Sequence, residues 1–194
     1  LPSLSQGALR AVFNGGVSGD TTTQMIARES AGSSATRKSV QDARDVGCQV
    51  LVFSPPVNDF GSFTTATAQS TIDAAVTTAL TNFTTLLTRA RAFGIWPVVV
   101  SFGPYSANAA SADDNAVRRS AMRAWEQRMR AAIELAASGL GEYVETGMVC
   151  GDSIGAWLSG YSYDGVHPDS MAVRRRFQVV AGAIMSRFGV TAST

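Results

Sequence analysis

The chain contains a single histidine, His167, and its neighbours indicate what this side chain could do. It lies in the stretch Asp-Gly-Val-His-Pro, three residues after Asp164. A carboxylate at this spacing on a loop can reach the imidazole, fix its tautomer and stabilise the imidazolium form. Pro168 stiffens the exit from the loop. The pattern favours a general base with an orienting carboxylate over an isolated surface histidine.

A serine that could act as the nucleophile for such a base stands nearby in the sequence. Ser153 ends the tripeptide Gly-Asp-Ser, eleven residues before Asp164. A serine, an aspartate and a histidine together form the triad of many hydrolases. The alternative interpretation is that Ser153 is a loop residue that only resembles a nucleophile. Which of the two holds depends on the strand that carries the serine.

Two further residues could stabilise an oxyanion. Gly19 lies in the turn Asn-Gly-Gly-Val-Ser-Gly-Asp ahead of a predicted helix, whose first amides could bind negative charge. Asn58 follows an apolar stretch, and its side-chain amide could donate to the same oxygen. Each also has an ordinary interpretation as a turn residue.

The elements that must position these residues alternate between strands and helices. Apolar runs predict strands over 8–13, 48–54, 96–102 and 142–149, and amphipathic patterns predict helices over 21–29, 35–47, 66–93, 117–137 and 171–188. Strands joined by helices pair in parallel through right-handed crossovers. The sequence therefore predicts one α/β domain over residues 1–194. Its polar, glycine-rich turns fall at the carboxyl end of the sheet, where such folds bind ligands.

Composition narrows the function classes. Apolar residues make up 45% of the 194 residues and the net charge is +1, which fits a globular domain and gives no reason to expect a nucleic acid partner. No apolar run approaches the ~18 residues of a membrane span. The spacing of Cys48 and Cys150 indicates neither a metal site nor a disulfide framework, and we predict that they are not bonded. No cofactor is indicated, and the compartment stays open.

The motifs, taken in order, resemble those of the SGNH (GDSL-type) hydrolases. The stretch Asn-Gly-Gly-Val-Ser-Gly-Asp-Thr-Thr resembles their second block, Val-Asn-Asp-Phe-Gly-Ser their third, and Asp-Gly-Val-His-Pro their fifth. The third block departs from the family pattern, with Pro56 and Val57 where a glycine is common. The resemblance runs along essentially the whole chain. It implies a flavodoxin-like three-layer α/β/α sandwich with a parallel sheet.

The same resemblance implies an activity and a role for each candidate residue. The activity would be hydrolysis of a small acyl ester, such as an acetylated sugar or a lipid-like ester, by a serine esterase. Gly19 and Asn58 would be the oxyanion donors. His167 would be the general base and Asp164 its orienting partner.

The family's nucleophile lies in a Gly-Asp-Ser block at the end of the first strand, and no such block precedes Gly19. Ser153 instead follows the predicted 142–149 strand, which the resemblance places at the sheet edge, three positions from the first strand. At about 4.8 Å per strand the offset is about 14 Å. A nucleophile must lie about 3 Å from its base. We therefore expect that Ser153 is not the nucleophile.

The chain starts at Leu1 rather than methionine, which leads to a hypothesis about the nucleophile. A second polypeptide segment, cleaved upstream and still docked, would supply the first central strand and the serine. Two alternatives stay open. One is a catalytically inactive SGNH-like module that binds a saccharide or a protein. The other is a flavodoxin-like nucleotide binder, which lacks the Gly-x-Gly-x-x-Gly spacing and leaves His167 unexplained.

Overall fold

The computed structural model describes residues 17–30, 39–135 and 139–189. Within these ranges the helices are α1 (Thr22–Ser30), α2 (Ser39–Asp45), α3 (Gln69–Ala92), α4 (Ala112–Leu135) and α5 (Ser170–Arg187). The strands are β1 (Val50–Phe53), β2 (Trp96–Val100) and β3 (Glu142–Val144), and a single 3-10 turn spans Val57–Asp59. The strand predicted over 8–13 lies outside the described residues.

The three strands form a parallel sheet in the order β1-β2-β3. Val52 lies opposite Val98 in the first pair, and Val99 lies opposite Tyr143 in the second. Each crossover contains one 24-residue helix, α3 between β1 and β2 and α4 between β2 and β3. A helix of this length returns the chain to the starting edge of the sheet, so parallel pairing follows.

The larger core lies between the sheet and the helices α3 and α4. Val99 of β2 points into this core, since alternate strand residues face opposite sides of a sheet. Trp125 of α4 is fully buried there and meets two rings edge-on. Its ring centroid lies 5.0 Å from that of Phe83 and 5.4 Å from that of Phe102. This aromatic cluster holds α3 and α4 against the carboxyl end of β2.

A smaller core covers the opposite face. Val98, Val100 and Val144 of the sheet pack there against Val180 of α5. Helices therefore flank the sheet on both faces, and the α/β fold predicted from the alternating pattern is confirmed.

Within the described ranges, two boundaries differ from the sequence prediction by five residues, more than the other boundaries do. The third strand ends at Val144 rather than at residue 149, because the amides of Thr146 and Gly147 both donate to Ser101 Oγ at 2.8 Å instead of extending the ladder. Helix α4 begins at Ala112 rather than 117. There the Asp114 amide donates to the hydroxyl of Ser111 at 3.0 Å, so a serine just outside the apolar pattern caps the helix.

Two expectations about the rest of the chain can be compared with the structure. Cys48 and Cys150 are both free thiols, as predicted. In the part of the chain that the structure describes, no helix is both long enough and apolar enough to cross a bilayer.

Candidate active site

Asp164 and His167 form a hydrogen-bonded pair on the loop that follows β3. His167 Nδ1 lies 2.6 Å from Asp164 Oδ2. The other carboxylate oxygen, Oδ1, accepts the backbone amides of Val166 at 2.9 Å and of His167 at 2.7 Å. These hydrogen bonds, above all the one from the His167 ring, lower the pKa of Asp164 to about 2. The carboxylate is therefore ionised at neutral pH and can stabilise an imidazolium.

The outer side of the imidazole is open. The His167 side chain is 63% exposed, and the exposed ring of Tyr163 stacks on it with centroids 5.9 Å apart and planes 10° apart. No described residue forms a hydrogen bond with His167 Nε2. This nitrogen is the one that a general base in an Asp-His pair uses, because Nδ1 is engaged by the carboxylate.

The loop that carries the pair has a conformation that only glycine allows at its centre. Gly165 has a φ of +76°, and a Cβ at this position would overlap the backbone carbonyl of Ser106. Ser162 Oγ closes the loop by accepting the Gly165 amide at 2.9 Å and donating to the His167 carbonyl at 2.6 Å. The Asp-Gly-Val-His spacing therefore encodes a tight turn that brings carboxylate and ring together.

Gly19 lies in an exposed turn just before α1 and has a φ of +82°. The helix is capped by the next residues. The Thr21 amide donates to Gln24 Oε1 at 2.8 Å, and the Gln24 amide donates to Thr21 Oγ1 at 3.4 Å. This reciprocal pair is a capping box, with Thr21 as the residue that caps the start of α1.

Asn58 and Asp59 connect the turn after β1 to the turn that holds Gly19. Asn58 Nδ2 donates to the Asp20 carbonyl at 3.1 Å. Asp59 accepts the Thr22 amide at 2.9 Å and the Thr22 hydroxyl at 2.7 Å. Burial raises the pKa of the Asp59 carboxyl, and the hydrogen bonds from Thr22 oppose that rise. Because an amide group carries two N–H donors, Asn58 keeps one that could face a substrate.

Asp59 is a site residue that sequence reasoning missed. It lies beside Asn58 in the sequence, but its hydrogen-bond partner Thr22 is 37 residues away. The local sequence pattern does not predict that contact. The structure therefore brings together the two stretches that contain Gly19 and Asn58, through the Asn58 side chain and through the contact between Asp59 and Thr22.

Ser153 lies elsewhere, at the tip of a short hairpin that is closed by an isolated antiparallel bridge between Gly151 and Trp157. Asp152 shapes the tip, since its Oδ1 accepts the amides of Ile154 at 3.0 Å and of Ala156 at 2.8 Å. The hydroxyl of Ser153 forms no hydrogen bond within the described ranges. It borders a shallow surface hollow of about 560 Å³, which is otherwise lined by Ile154 and α4 side chains.

Asn58 and the Asp164–His167 pair follow the carboxyl ends of strands in the described part of the chain. Asn58 follows β1, and the Asp164–His167 pair follows β3. The loop after β2 lies against the latter, since the Asn108 amide donates to the Asp164 carbonyl at 3.3 Å. Across the described residues, no cluster of three or more histidine, cysteine, aspartate or glutamate side chains is arranged to hold a metal ion.

Comparison with known proteins extends this picture. A family model for the GDSL-like lipase/acylhydrolase family matches residues 1–174. No curated protein matches the chain. Among solved structures, a GDSL-like lipase from Bacteroides thetaiotaomicron has a TM-score of 0.68 at 16% identity, covering 95% of this chain and 84% of its own.

Two esterases of known structure share the fold at similar sequence distance. One is a mutant of an acetyl-xylooligosaccharide esterase from Geobacillus stearmophilus, with a TM-score of 0.59 at 15% identity, covering 97% of this chain and 81% of its own. The other is a carbohydrate esterase of family 3 from Talaromyces cellulolyticus, with a TM-score of 0.54 at 15% identity, covering 90% and 71%. With a family model that spans most of its length, the chain belongs to the GDSL-like lipase/acylhydrolase family.

Proposed function

We propose that the protein is a serine esterase that hydrolyses a small acyl ester, with His167 as the general base and Asp164 as its orienting carboxylate. One observation carries the proposal above the others. The 2.6 Å contact between Asp164 Oδ2 and His167 Nδ1 leaves Nε2 open on an exposed face of the ring. This is the arrangement that an acyl-transfer base requires.

The reaction follows from these roles. A serine hydroxyl attacks the ester carbonyl carbon and gives its proton to His167 Nε2. The carbonyl oxygen becomes an oxyanion, which the Gly19 amide and the Asn58 side chain stabilise. Loss of one such donor costs about 3 kcal/mol of barrier in other acyl hydrolases. Collapse of the intermediate expels the alcohol, which takes the proton from His167, and water then cleaves the acyl-enzyme by the same steps.

We propose that the nucleophilic serine reaches His167 on a second polypeptide segment. Ser153 sits at a hairpin tip, with no hydrogen bond to His167 among the described residues. Strand β1 pairs only with β2 in the described part of the sheet, so its other flank offers backbone donors and acceptors to a further strand. Val52 of β1 is 45% exposed, which is high for a strand in a parallel sheet.

The substrate that we favour is an acetylated sugar, with a lipid-like ester as the alternative. Two of the structural relatives are an acetyl-xylooligosaccharide esterase and a carbohydrate esterase. The exposed Tyr163 ring beside His167 adds an aromatic surface of the kind on which a sugar ring can stack.

The test is hydrolysis of 4-nitrophenyl acetate and of acetylated xylose by wild type, His167→Gln and Asp164→Asn. We expect His167→Gln to abolish turnover and Asp164→Asn to lower kcat by about 10⁴, as loss of the orienting carboxylate does in other triads. The wild-type rate should fall on the acid side, because a protonated imidazole cannot act as a base. Asp113→Asn, which changes an exposed carboxyl on α4, is the matched control.

A fluorophosphonate label locates the nucleophile in the same samples. Peptide mapping should find the label on a serine of a second segment, and Ser153→Ala should leave both labelling and hydrolysis unchanged. Label on Ser153 would instead make it the nucleophile. Absence of both hydrolysis and labelling would favour the catalytically inactive binding module.

A further inference from the structure

The carbonyl of Gly165 is held by two donors from other parts of the chain. It accepts the Ser106 backbone amide at 2.8 Å and the Trp157 indole Nε1–H at 3.0 Å. Gly165 is buried, whereas the His167 side chain two residues later is 63% exposed. Because little protein surrounds the imidazole, its position depends mainly on the backbone of the loop that carries it.

The Trp157 ring is fixed before its indole reaches that carbonyl. It packs against the small cluster formed by Cys150, Tyr161 and Ala172. On another side it lies over Gly103, where an added Cβ would come within 3.1 Å of the Trp157 ring carbons. Because the side chain is packed on two sides, its indole N–H points in one direction. The hydrogen bond to the Gly165 carbonyl therefore has a fixed geometry.

The hairpin that contains Gly-Asp-Ser is the element that presents Trp157. It is closed by the isolated antiparallel bridge between Gly151 and Trp157. The Gly155 carbonyl accepts the Tyr105 amide at 3.0 Å, which ties the hairpin to the segment that also supplies the Ser106 amide. Backbone hydrogen bonds thus join the hairpin to the loop after β2, and that loop to the loop that carries Asp164 and His167.

We propose that Trp157 is a positioning residue for the Asp164–His167 pair: its indole N–H holds the Gly165 carbonyl and thereby sets where His167 Nε2 lies. The inference rests on the proposed role of His167 as the base. Trp157 touches no reacting atom. When the indole N–H is lost, the Ser106 amide still donates to the Gly165 carbonyl, so the loop becomes more mobile but stays in place. We therefore expect kcat to fall and KM to stay unchanged.

Trp157→Phe tests this, since it removes the N–H donor and keeps an aromatic ring. Trp96→Phe is the matched control, because the Trp96 indole nitrogen is buried without a hydrogen-bond partner in the described structure and lies at the amino end of β2. We expect kcat of Trp157→Phe to fall about tenfold, within the ~100-fold that a misplacement of 1 Å can cause. KM should stay within about twofold, and the control should match wild type in both constants.

A second readout does not depend on hydrolysis. His167 is the only histidine in the chain, so its imidazole NMR signals are unique. In wild type the proton between Nδ1 and Asp164 should give one sharp downfield resonance. In Trp157→Phe this resonance should broaden or shift, and in Trp96→Phe it should be unchanged.

The outcomes separate the inference from the function on which it rests. Wild-type imidazole signals together with a wild-type kcat in Trp157→Phe would overturn the positioning role. Equal effects of both tryptophan variants would also overturn it, because they would report general destabilisation. Altered imidazole signals with undiminished hydrolysis would instead overturn the role of His167 as the base. The hydrogen bond from Trp157 to Gly165 would still position the imidazole.

Discussion

At the scale of single residues, the candidate site depends on short contacts around one glycine. Asp164 uses one carboxylate oxygen for the His167 ring and the other for backbone amides, so a single side chain fixes both the turn and the imidazole. Gly165 allows the chain to pass between them with a positive φ while its carbonyl meets two donors. Loss of either feature should move the imidazole.

Gly165→Ala should disable the site for a steric reason. A Cβ there would overlap the Ser106 carbonyl, in addition to the strain of a positive φ. Gly160→Ala is the matched control, because Gly160 has a φ of +80° with nothing within 4 Å of an added Cβ. We expect kcat/KM for ester hydrolysis to fall about 100-fold or more in the first variant and to stay near wild type in the second. Equal rates would show that the loop tolerates displacement.

The low pKa of Asp164, about 2 against an ordinary 3.8, links this residue to acid stability. A depressed carboxyl pKa contributes stability that is present above the ordinary value and lost as the pH falls through the folded-state value. The difference in unfolding free energy between wild type and Asp164→Asn should therefore shrink as the pH falls from about 4 to about 2. Urea titrations across this range measure it, and a pH-independent difference would contradict the assignment.

At the scale of elements, side chains add to the last backbone hydrogen bond between the carboxyl ends of β2 and β3, which runs from the Ser101 amide to the Val144 carbonyl at 2.9 Å. Ser101, just after β2, is buried, and its hydroxyl accepts the Thr146 and Gly147 amides and lies 2.6 Å from Glu145 Oε1. Arg176 of α5 adds to this junction by donating to the Ser101 carbonyl at 2.7 Å. The strands thus end in a fixed arrangement from which the loops of the candidate site start.

Ser101→Ala should lower the unfolding free energy by about 1–3 kcal/mol, because it leaves the buried Thr146 amide without its acceptor, whereas the Gly147 amide still donates to Glu145 Oε1. Ser120→Ala, on the exposed surface of α4, removes the same atom without that loss and should change stability by less than about 0.5 kcal/mol. Chemical denaturation of both variants is the measurement. A cost at Ser101 no larger than at Ser120 would mean that water replaces the hydroxyl.

At the scale of the whole molecule, the sheet is well covered over β2 and β3 and less so over β1. Helices α3 and α4 cover one face, and α5 covers the other above β2 and β3. Val52 of β1 remains 45% exposed, and within the described residues β1 has a partner on one flank only. We propose that a further strand carrying the nucleophile completes both the sheet and the site at this edge.

Native mass spectrometry of hydrolytically active protein tests that arrangement. We expect the native mass to exceed the denatured mass of this chain by that of a second peptide, whose N-terminal sequencing should show a Gly-Asp-Ser-like stretch. Removal of the peptide by unfolding and gel filtration should abolish fluorophosphonate labelling, and adding it back should restore labelling. Full activity of the isolated chain, at its own mass, would rule out the second segment.

The sequence by itself determined what depends on short spacings. Apolar periodicity specified the strands β1, β2 and β3 and the long helices between them, and the connection lengths required parallel pairing. The pairing of Asp164 with His167 also followed from the sequence, since three residues on one loop keep the two side chains within reach. The family resemblance rested on the same local stretches.

Only the tertiary structure decided contacts between distant residues. Asp59 meets Thr22 across 37 residues, and Ser101 meets Thr146 across 45. Gly-Asp-Ser reads the same in a nucleophile turn as in the hairpin tip that holds Ser153, because three residues do not record which strand precedes them or what faces them. Trp157 shows no local pattern at all, since its hydrogen bond to Gly165 exists only after hairpin and loop have folded against each other.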